Sequence, residues 1–78
     1  MSDKTTSERI IEIFKMCKNH FGSIRSVEVK YHNKKGWLAK ARFDGDFKNL
    51  TAEGESDIEA LKKLKKRVSK IIQRYNEV

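Results

Sequence analysis

The chain contains no proline and only one cysteine, Cys17. A single cysteine excludes a disulfide within the chain, and this usage fits the reducing cytoplasm. No segment approaches the run of about 20 apolar residues that a membrane span needs. The polar start of the chain, from Met1 to Thr6, lacks the apolar centre of a signal peptide. We therefore expect a cytoplasmic protein that does not enter a membrane.

The residue groupings that catalysis or metal binding needs are also missing. His20 and His32 have no cysteine pair or carboxylate cluster at ligand spacing, so no zinc site is expected. Cys17 falls on an apolar stripe and is interpreted as a buried thiol rather than a nucleophile. There is no glycine-rich phosphate-binding loop and no nucleophile with a base to activate it. The prediction is a non-enzyme without metal or cofactor.

Positive charge is what the chain has in excess. Its 78 residues allow one domain with a thin core. Eighteen Lys and Arg oppose eleven Asp and Glu, which gives a net charge of +7. Such an excess is typical of proteins that bind nucleic acid, an anionic membrane or an acidic protein.

The first part of the domain is predicted to be a helix. Residues 1–6 are expected to form a flexible tail before a single domain over 7–78. Thr5 and Glu8 have the spacing of a capping box, and Gly22 is suited to end the helix in the left-handed conformation. Apolar residues recur at helical spacing over 7–21: Ile10, Ile13, Phe14, Cys17 and Phe21.

Two alternating segments, Ser26 to His32 and Trp37 to Phe43, predict a hairpin around a turn at 33–36. Matching their apolar faces pairs Tyr31 with Trp37, Val29 with Ala39 and Val27 with Ala41. Glu28 then faces Lys40, a favourable cross-strand charge pair. The same alternation places three aromatic rings in the core: Tyr31, Trp37 and Phe43.

The third strand is predicted from the Asp44-Gly45 turn signal. A two-residue turn there pairs Ala39 with Leu50, directs Leu50 and Ala52 into the core and leaves Phe47 outside. A three-residue turn through Asp46 would reverse these faces. The first alternative buries more apolar surface, and we prefer it for that reason.

A second capping box, Ser56 to Glu59, starts the last helix. Its apolar stripe continues for five turns: Ile58, Leu61, Leu64, Val68, Ile71, Ile72 and Tyr75. The predicted fold class is therefore α+β, with the order αβββα and a three-stranded antiparallel sheet. Each helix has a single apolar stripe, so both are expected to pack on one face of the sheet.

Positive charge is concentrated on the outer side of this last helix. Residues 61–74 contain no acid, and like charges stand four residues apart, which costs a few tenths of a kcal/mol per pair. A bound polyanion would offset this repulsion. We call the following six residues the basic stripe: Lys62, Lys63, Lys66, Arg67, Lys70 and Arg74.

A second basic group lies around the first hairpin. His32, Lys34 and Lys35 are expected in its loop, and Lys40 and Arg42 on the open face of the sheet. Two separated groups can touch successive phosphate rows of a duplex. Because most aromatic rings are expected in the core, binding of single strands by base stacking is not expected.

Two segments carry a resemblance to a known family. The run Trp37-Leu38-Ala39-Lys40-Ala41-Arg42-Phe43, and Gly54-Glu55-Ser56 with Ala60 after it, resemble the second strand and second-helix start of the double-stranded-RNA-binding domain. The pattern covers Ser7 to about Tyr75. The resemblance implies minor-groove contacts from the first helix and from His32 to Gly36, and phosphate contacts near the start of the second helix. The segment from Ala52 to Leu61 is also similar to the antitoxin of HicAB-type modules.

The sequence thus leads to two principal hypotheses and a third. The first is a small non-catalytic regulatory domain, a monomer or homodimer, that binds nucleic acid, for example duplex RNA or DNA. The second is a protein-interaction or inhibitor domain, for example from a virus or mobile element, that binds an acidic or nucleic-acid-binding surface of a host protein. Ile11, Met16 and Leu38 lie off the core pattern and would supply its partner surface. The third is attachment of the last helix to a membrane surface, which competes with its core packing.

Overall fold

The computed structural model describes residues 5–44 and 48–76 and shows an α+β fold. The elements, in chain order, are α1 (Thr6–Phe21), β1 (Ser26–His32), β2 (Gly36–Arg42), β3 (Leu50–Gly54) and α2 (Asp57–Asn76). This is the predicted αβββα order. Most of the predicted tail and the predicted position of Phe47 lie outside the described residues. In the part of the chain that is described, no helix is both long and apolar enough to cross a membrane.

Both predicted caps of α1 are confirmed. The Thr5 hydroxyl accepts the Glu8 N–H at 3.1 Å, and the Glu8 carboxylate accepts the Thr5 N–H at 3.5 Å. At the other end Gly22 has φ 76° and donates its N–H to the Lys18 carbonyl at 3.0 Å. The helix begins at Thr6, one residue earlier than expected, because Thr5 itself serves as the N-cap.

The three strands form an antiparallel sheet in the order β1-β2-β3. The β1–β2 register is the predicted one, with Tyr31 opposite Trp37 and Val27 opposite Ala41. Glu28 stands opposite Lys40 as expected. Its carboxylate, however, lies 3.4 Å from Arg42 and 3.7 Å from Lys30 on the same face. The expected pair with Lys40 is therefore replaced by two neighbouring pairs.

The predicted β2–β3 register is wrong by two residues. Ala39 pairs with Ala52, and Leu50 pairs with Ala41. A two-residue turn at Asp44-Gly45 would place Leu50 opposite Ala39, which the observed pairing excludes; Gly45 itself lies outside the described residues. A shift of two keeps the same side chains on the inner face, since alternation has a period of two. Leu50 and Ala52 therefore point inward, as expected, although the pairing partner predicted for each of them is wrong.

The core lies between the inner face of the sheet and both helices. It combines small alanines of β2 and β3 with larger side chains of β1 and the helices: Ile13, Cys17, Val27, Ala39, Ala41, Ala52, Ala60, Leu61, Leu64, Val68 and Ile72. The helices also contact each other directly. The Thr6 hydroxyl donates to the Asp57 carboxylate at 2.6 Å, and Lys65 forms an ion pair with Glu12. Both helices thus cover one face, as predicted.

Tyr31 is the clearest error in the predicted core, because 61% of it is exposed. Val27 at the start of β1 is buried, Val29 is half-buried and Tyr31 is exposed, so the helical cover decreases along the strand. The Tyr31 ring meets Trp37 edge to face, with ring centres 5.6 Å apart. Trp37 and Phe43 are half-buried and pack against the core, as their alternation predicted.

Gly54 sets the contact between the sheet and the start of α2. A Cβ atom on Gly54 would lie 2.5 Å from the backbone nitrogen of Ala60. Gly36, with φ 79°, is close to Gly54 in turn, because a Cβ atom on Gly36 would lie 2.9 Å from the Gly54 carbonyl oxygen. The end of the first hairpin, the end of β3 and the first turn of α2 therefore touch through their backbones.

Candidate nucleic-acid interface

The six residues of the basic stripe are all exposed on α2. The opposite side of the same helix buries Leu61, Leu64 and Val68 completely or nearly so. This division follows from the helical period, which brings positions three and four apart onto one face. The structure therefore brings the predicted residues of the second helix together on one surface that faces water.

The charge of this surface is largely uncompensated. Lys63 has an ion pair with Glu59 at 3.3 Å, and Lys65, beside the stripe, has one with Glu12. The Ser56 hydroxyl accepts the Glu59 N–H at 3.1 Å, but the Glu59 carboxylate is directed to Lys63 instead of completing the capping box. Within the described residues, the other stripe members form no ion pair with a carboxylate: Lys62, Lys66, Arg67, Lys70 and Arg74.

The stripe continues down to one edge of the sheet. Lys63 and Arg67 line a groove of about 290 Å³ together with Thr51, Ala52 and Glu53 of β3. Because β3 is an outer strand, this groove runs along the rim of the molecule. The carboxylate of Glu53 is the acidic group in its lining. The positive surface therefore extends from the outer side of α2 to the β3 edge.

The hairpin residues form a separate exposed group. His32, Lys34 and Lys35 are all exposed, and the Lys35 N–H donates to the His32 carbonyl at 3.2 Å to close the turn. This turn joins β1 to β2, at the same end of the sheet as the Gly36–Gly54 contact. The hairpin group and the start of α2 therefore lie at one end of the molecule.

Lys40 and Arg42 are not part of either group. They lie on the open face of the sheet, opposite to the helices, by alternation with the buried Ala39 and Ala41. Lys40 is half-buried, and Arg42 forms an ion pair with Glu28 at 3.4 Å. A ligand on the basic stripe would not reach this face. The predicted set of eleven residues is thus divided among three surfaces.

Tyr31 is an exposed residue that was not predicted as a candidate for the interface. Its inward parity indicated the core, but parity alone does not show how far along a strand the helices extend. One signal was present in the sequence, since Tyr31 is the penultimate residue of β1, and after His32 the polar turn Asn33-Lys34-Lys35 follows. Residues at the end of an outer strand have neighbours on one side alone.

Two of the described titratable groups have shifted pKa values, and the described residues contain no cluster of metal ligands. Among residues 5–44 and 48–76, no group of three or more His, Cys, Asp or Glu side chains could hold a metal ion. Burial raises the pKa of the Cys17 thiol to about 11, so it stays protonated at neutral pH. Asp57 is shifted the other way: hydrogen bonds from the Thr6 hydroxyl and the Ile58 N–H lower the pKa of its carboxyl.

Comparison with known proteins gives no relative. No protein-family model, no curated protein and no solved structure matches the chain.

Proposed function

We propose that this protein is a small non-catalytic domain that binds nucleic acid through the basic stripe of α2 and has a regulatory role. The observation that supports this most is a group of exposed cations on α2 that have no ion pair among the described residues: Lys62, Lys66, Arg67, Lys70 and Arg74. Phosphates would supply the missing counter-charge, and arginine and lysine are the usual phosphate ligands.

The dimensions of the stripe suit a nucleic-acid backbone. Residues 62–74 of a helix extend over about 18 Å at about 1.5 Å per residue. At about 3.4 Å of duplex axis per phosphate of one strand, the same length of duplex carries about five phosphates on each strand. An acidic protein would have to present carboxylates over the same length, whereas a nucleic-acid backbone carries a phosphate at every nucleotide.

Duplex RNA is the first ligand to test, because of the resemblance to the double-stranded-RNA-binding domain and the shared element order. The first turn of α2 contains Asp57 and Glu59 rather than basic residues. We therefore place the phosphate contacts a turn later, from Lys62 and Lys63 onward. The exposed turn with His32, Lys34 and Lys35 would supply the second contact, to another part of the same ligand.

The test is the salt dependence of binding to blunt 20-base-pair RNA and DNA duplexes, measured by fluorescence anisotropy. About five phosphate contacts predict a slope of log K against log salt of about −4.5, at about −0.9 per contact. In the Lys66→Gln/Lys70→Gln double variant, loss of two contacts should reduce the steepness of this slope by about 2.

A matched control removes two positive charges elsewhere. The Arg25→Gln/Lys48→Gln variant has the same net charge, and both side chains are exposed outside the stripe. Its slope should stay close to that of the wild type. Equal losses in the two variants would mean that net charge alone drives binding, and absence of binding to any duplex or single strand at low salt would overturn the proposal.

A protein partner is the second candidate, and one observation favours it. Ile11 is 52% exposed, in a shallow depression with Glu8, Glu12 and Lys15. Met16 does not contribute to such a surface as expected, since it packs against the core, and Leu38 is half-buried. A protein that co-purifies after nuclease treatment and is lost in Ile11→Asp would support this alternative over nucleic-acid binding.

A further inference from the structure

We infer that the exposed ring of Tyr31, together with Trp37 beside it, is a stacking site for an unpaired base. This inference rests on the proposed function, because it specifies which nucleic acids the protein binds best. Its ligand is single-stranded RNA or DNA, or a duplex with an unpaired overhang or loop. The inference follows from three features of the described residues: the exposure of the ring, the geometry of the aromatic pair and the cations of the adjacent turn.

The exposure of Tyr31 is unusual within this chain. Among the described residues, Tyr31 and Ile11 are the large hydrophobic side chains that are mostly exposed. Along the inner face of β1, Val27 is buried and Val29 is half-buried, whereas 61% of Tyr31 is exposed. A tyrosine ring carries a large apolar surface, which favours contact with another flat apolar group.

The geometry of the pair suits one base. The Tyr31 and Trp37 rings meet at 68°, with ring centres 5.6 Å apart. Two rings at this angle form an open corner, in which a third flat ring can stack on one and contact the other. Trp37 is half-buried and packs against the core, so it holds the position of the corner. The site is therefore rigid on one side and open on the other.

The surroundings favour a nucleotide over a protein side chain. Lys34 and Lys35 are exposed in the turn that follows β1, within four residues of Tyr31. A base attached to a phosphate matches an aromatic ring next to cations. A protein interface of ordinary strength would need about 800 Å² on each partner, whereas the exposed apolar surface here is one ring and its neighbour.

The test compares Tyr31→Ala with Tyr31→Phe, using a single-stranded uridine 12-mer and a blunt 20-base-pair RNA duplex at one salt concentration. Loss of the ring should weaken binding of the single strand by about 5- to 150-fold. Tyr31→Phe retains the ring and should bind within about twofold of the wild type. Because the ring is exposed, both variants should give the circular dichroism spectrum of the wild type.

Ile11→Ala is the matched control, since it removes the other exposed apolar side chain, on α1. It should leave single-strand binding unchanged, and Tyr31→Ala should leave blunt-duplex binding unchanged. The inference is overturned if Tyr31→Ala binds the single strand as the wild type does, or loses both ligands equally. The stripe double variant, by contrast, should lose affinity for both ligands, so failure of the stacking site is distinguishable from failure of the proposed function.

Discussion

Single glycines determine how closely α2 approaches the sheet and how α1 ends. Gly54 is the sharpest case, because the space that a side chain would fill is occupied by the backbone of Ala60. Gly22 offers a comparison, since its Cβ would meet nothing within 4 Å and the cost of a side chain comes from φ 76° alone. The two glycines are therefore required for different reasons, one steric and one conformational.

Gly54→Ala should reduce the free energy of unfolding by about 3 kcal/mol, because backbone atoms of β3 and α2 must separate to admit the methyl group. Gly22→Ala should cost about 1 kcal/mol through its left-handed conformation. Urea denaturation of both variants measures the difference. If both variants lose the same free energy of unfolding, the steric role of Gly54 is contradicted.

The hydrogen bond between Thr6 and Asp57 makes a pH-dependent contribution to stability. The lowered pKa of Asp57 means that its ionised form is favoured in the folded state. This contribution is present above the ordinary pKa of 3.8 and is lost as the pH falls through the lowered value. Thr6→Val should therefore raise the pKa of Asp57, measured by NMR titration of its carboxyl.

The control for this titration is Ser23→Ala. Ser23 donates to Asp44 at 2.8 Å, far from α2 in sequence, so its removal should leave the Asp57 titration unchanged. If Thr6→Val leaves the Asp57 pKa where it is in the wild type, the link between the helix N-termini contributes nothing to the charge state of this carboxyl.

At the scale of elements, the sequence predicts most of the fold because local signals and burial agree. The caps at Thr5 and Gly22 and the apolar stripes define the helices, and alternation defines β1 and β2 with their register. The β2–β3 register could not be obtained in this way. Alternation is unchanged by a shift of two, so it does not distinguish the observed register from the predicted one. The close contact of Gly54 with Ala60 exists only in the folded molecule and has no local sequence signal.

The candidate site was predictable to a similar degree. Helical periodicity placed the basic stripe on the outer face of α2, and the structure shows its six residues exposed there. Pairing of Arg42 with Glu28 and of Lys63 with Glu59 depends on side-chain positions that periodicity does not specify. The exposure of Tyr31 depends on where the helices end over the sheet, which is a property of the packed molecule.

For the whole molecule, the basic stripe should reduce stability as long as no ligand is bound. Lys66 and Lys70 take part in three like-charge pairs at four-residue spacing, with Lys62, with each other and with Arg74. Removing these charges in Lys66→Gln/Lys70→Gln should raise the free energy of unfolding by about 1 kcal/mol at low salt. Urea denaturation at 20 mM and 500 mM NaCl provides the measurement.

The gain in the free energy of unfolding should be smaller at the higher salt concentration, since salt screens exposed charges. Arg25→Gln, which removes a cation 3.9 Å from Asp44, should give no such gain. If the Lys66→Gln/Lys70→Gln variant is less stable than the wild type at both salt concentrations, these side chains stabilise the fold, and the predicted destabilisation by their charges is wrong.

The backbone contact of Gly36, Gly54 and Ala60 has a consequence for recognition. It fixes the hairpin turn and the N-terminal part of α2 to each other without an intervening flexible side chain. The distance between the two candidate contact regions is then constant, so the protein would lose little conformational entropy when it binds. Any bending or opening needed for both regions to be engaged must come from the ligand, and its deformability would decide which nucleic acids are selected.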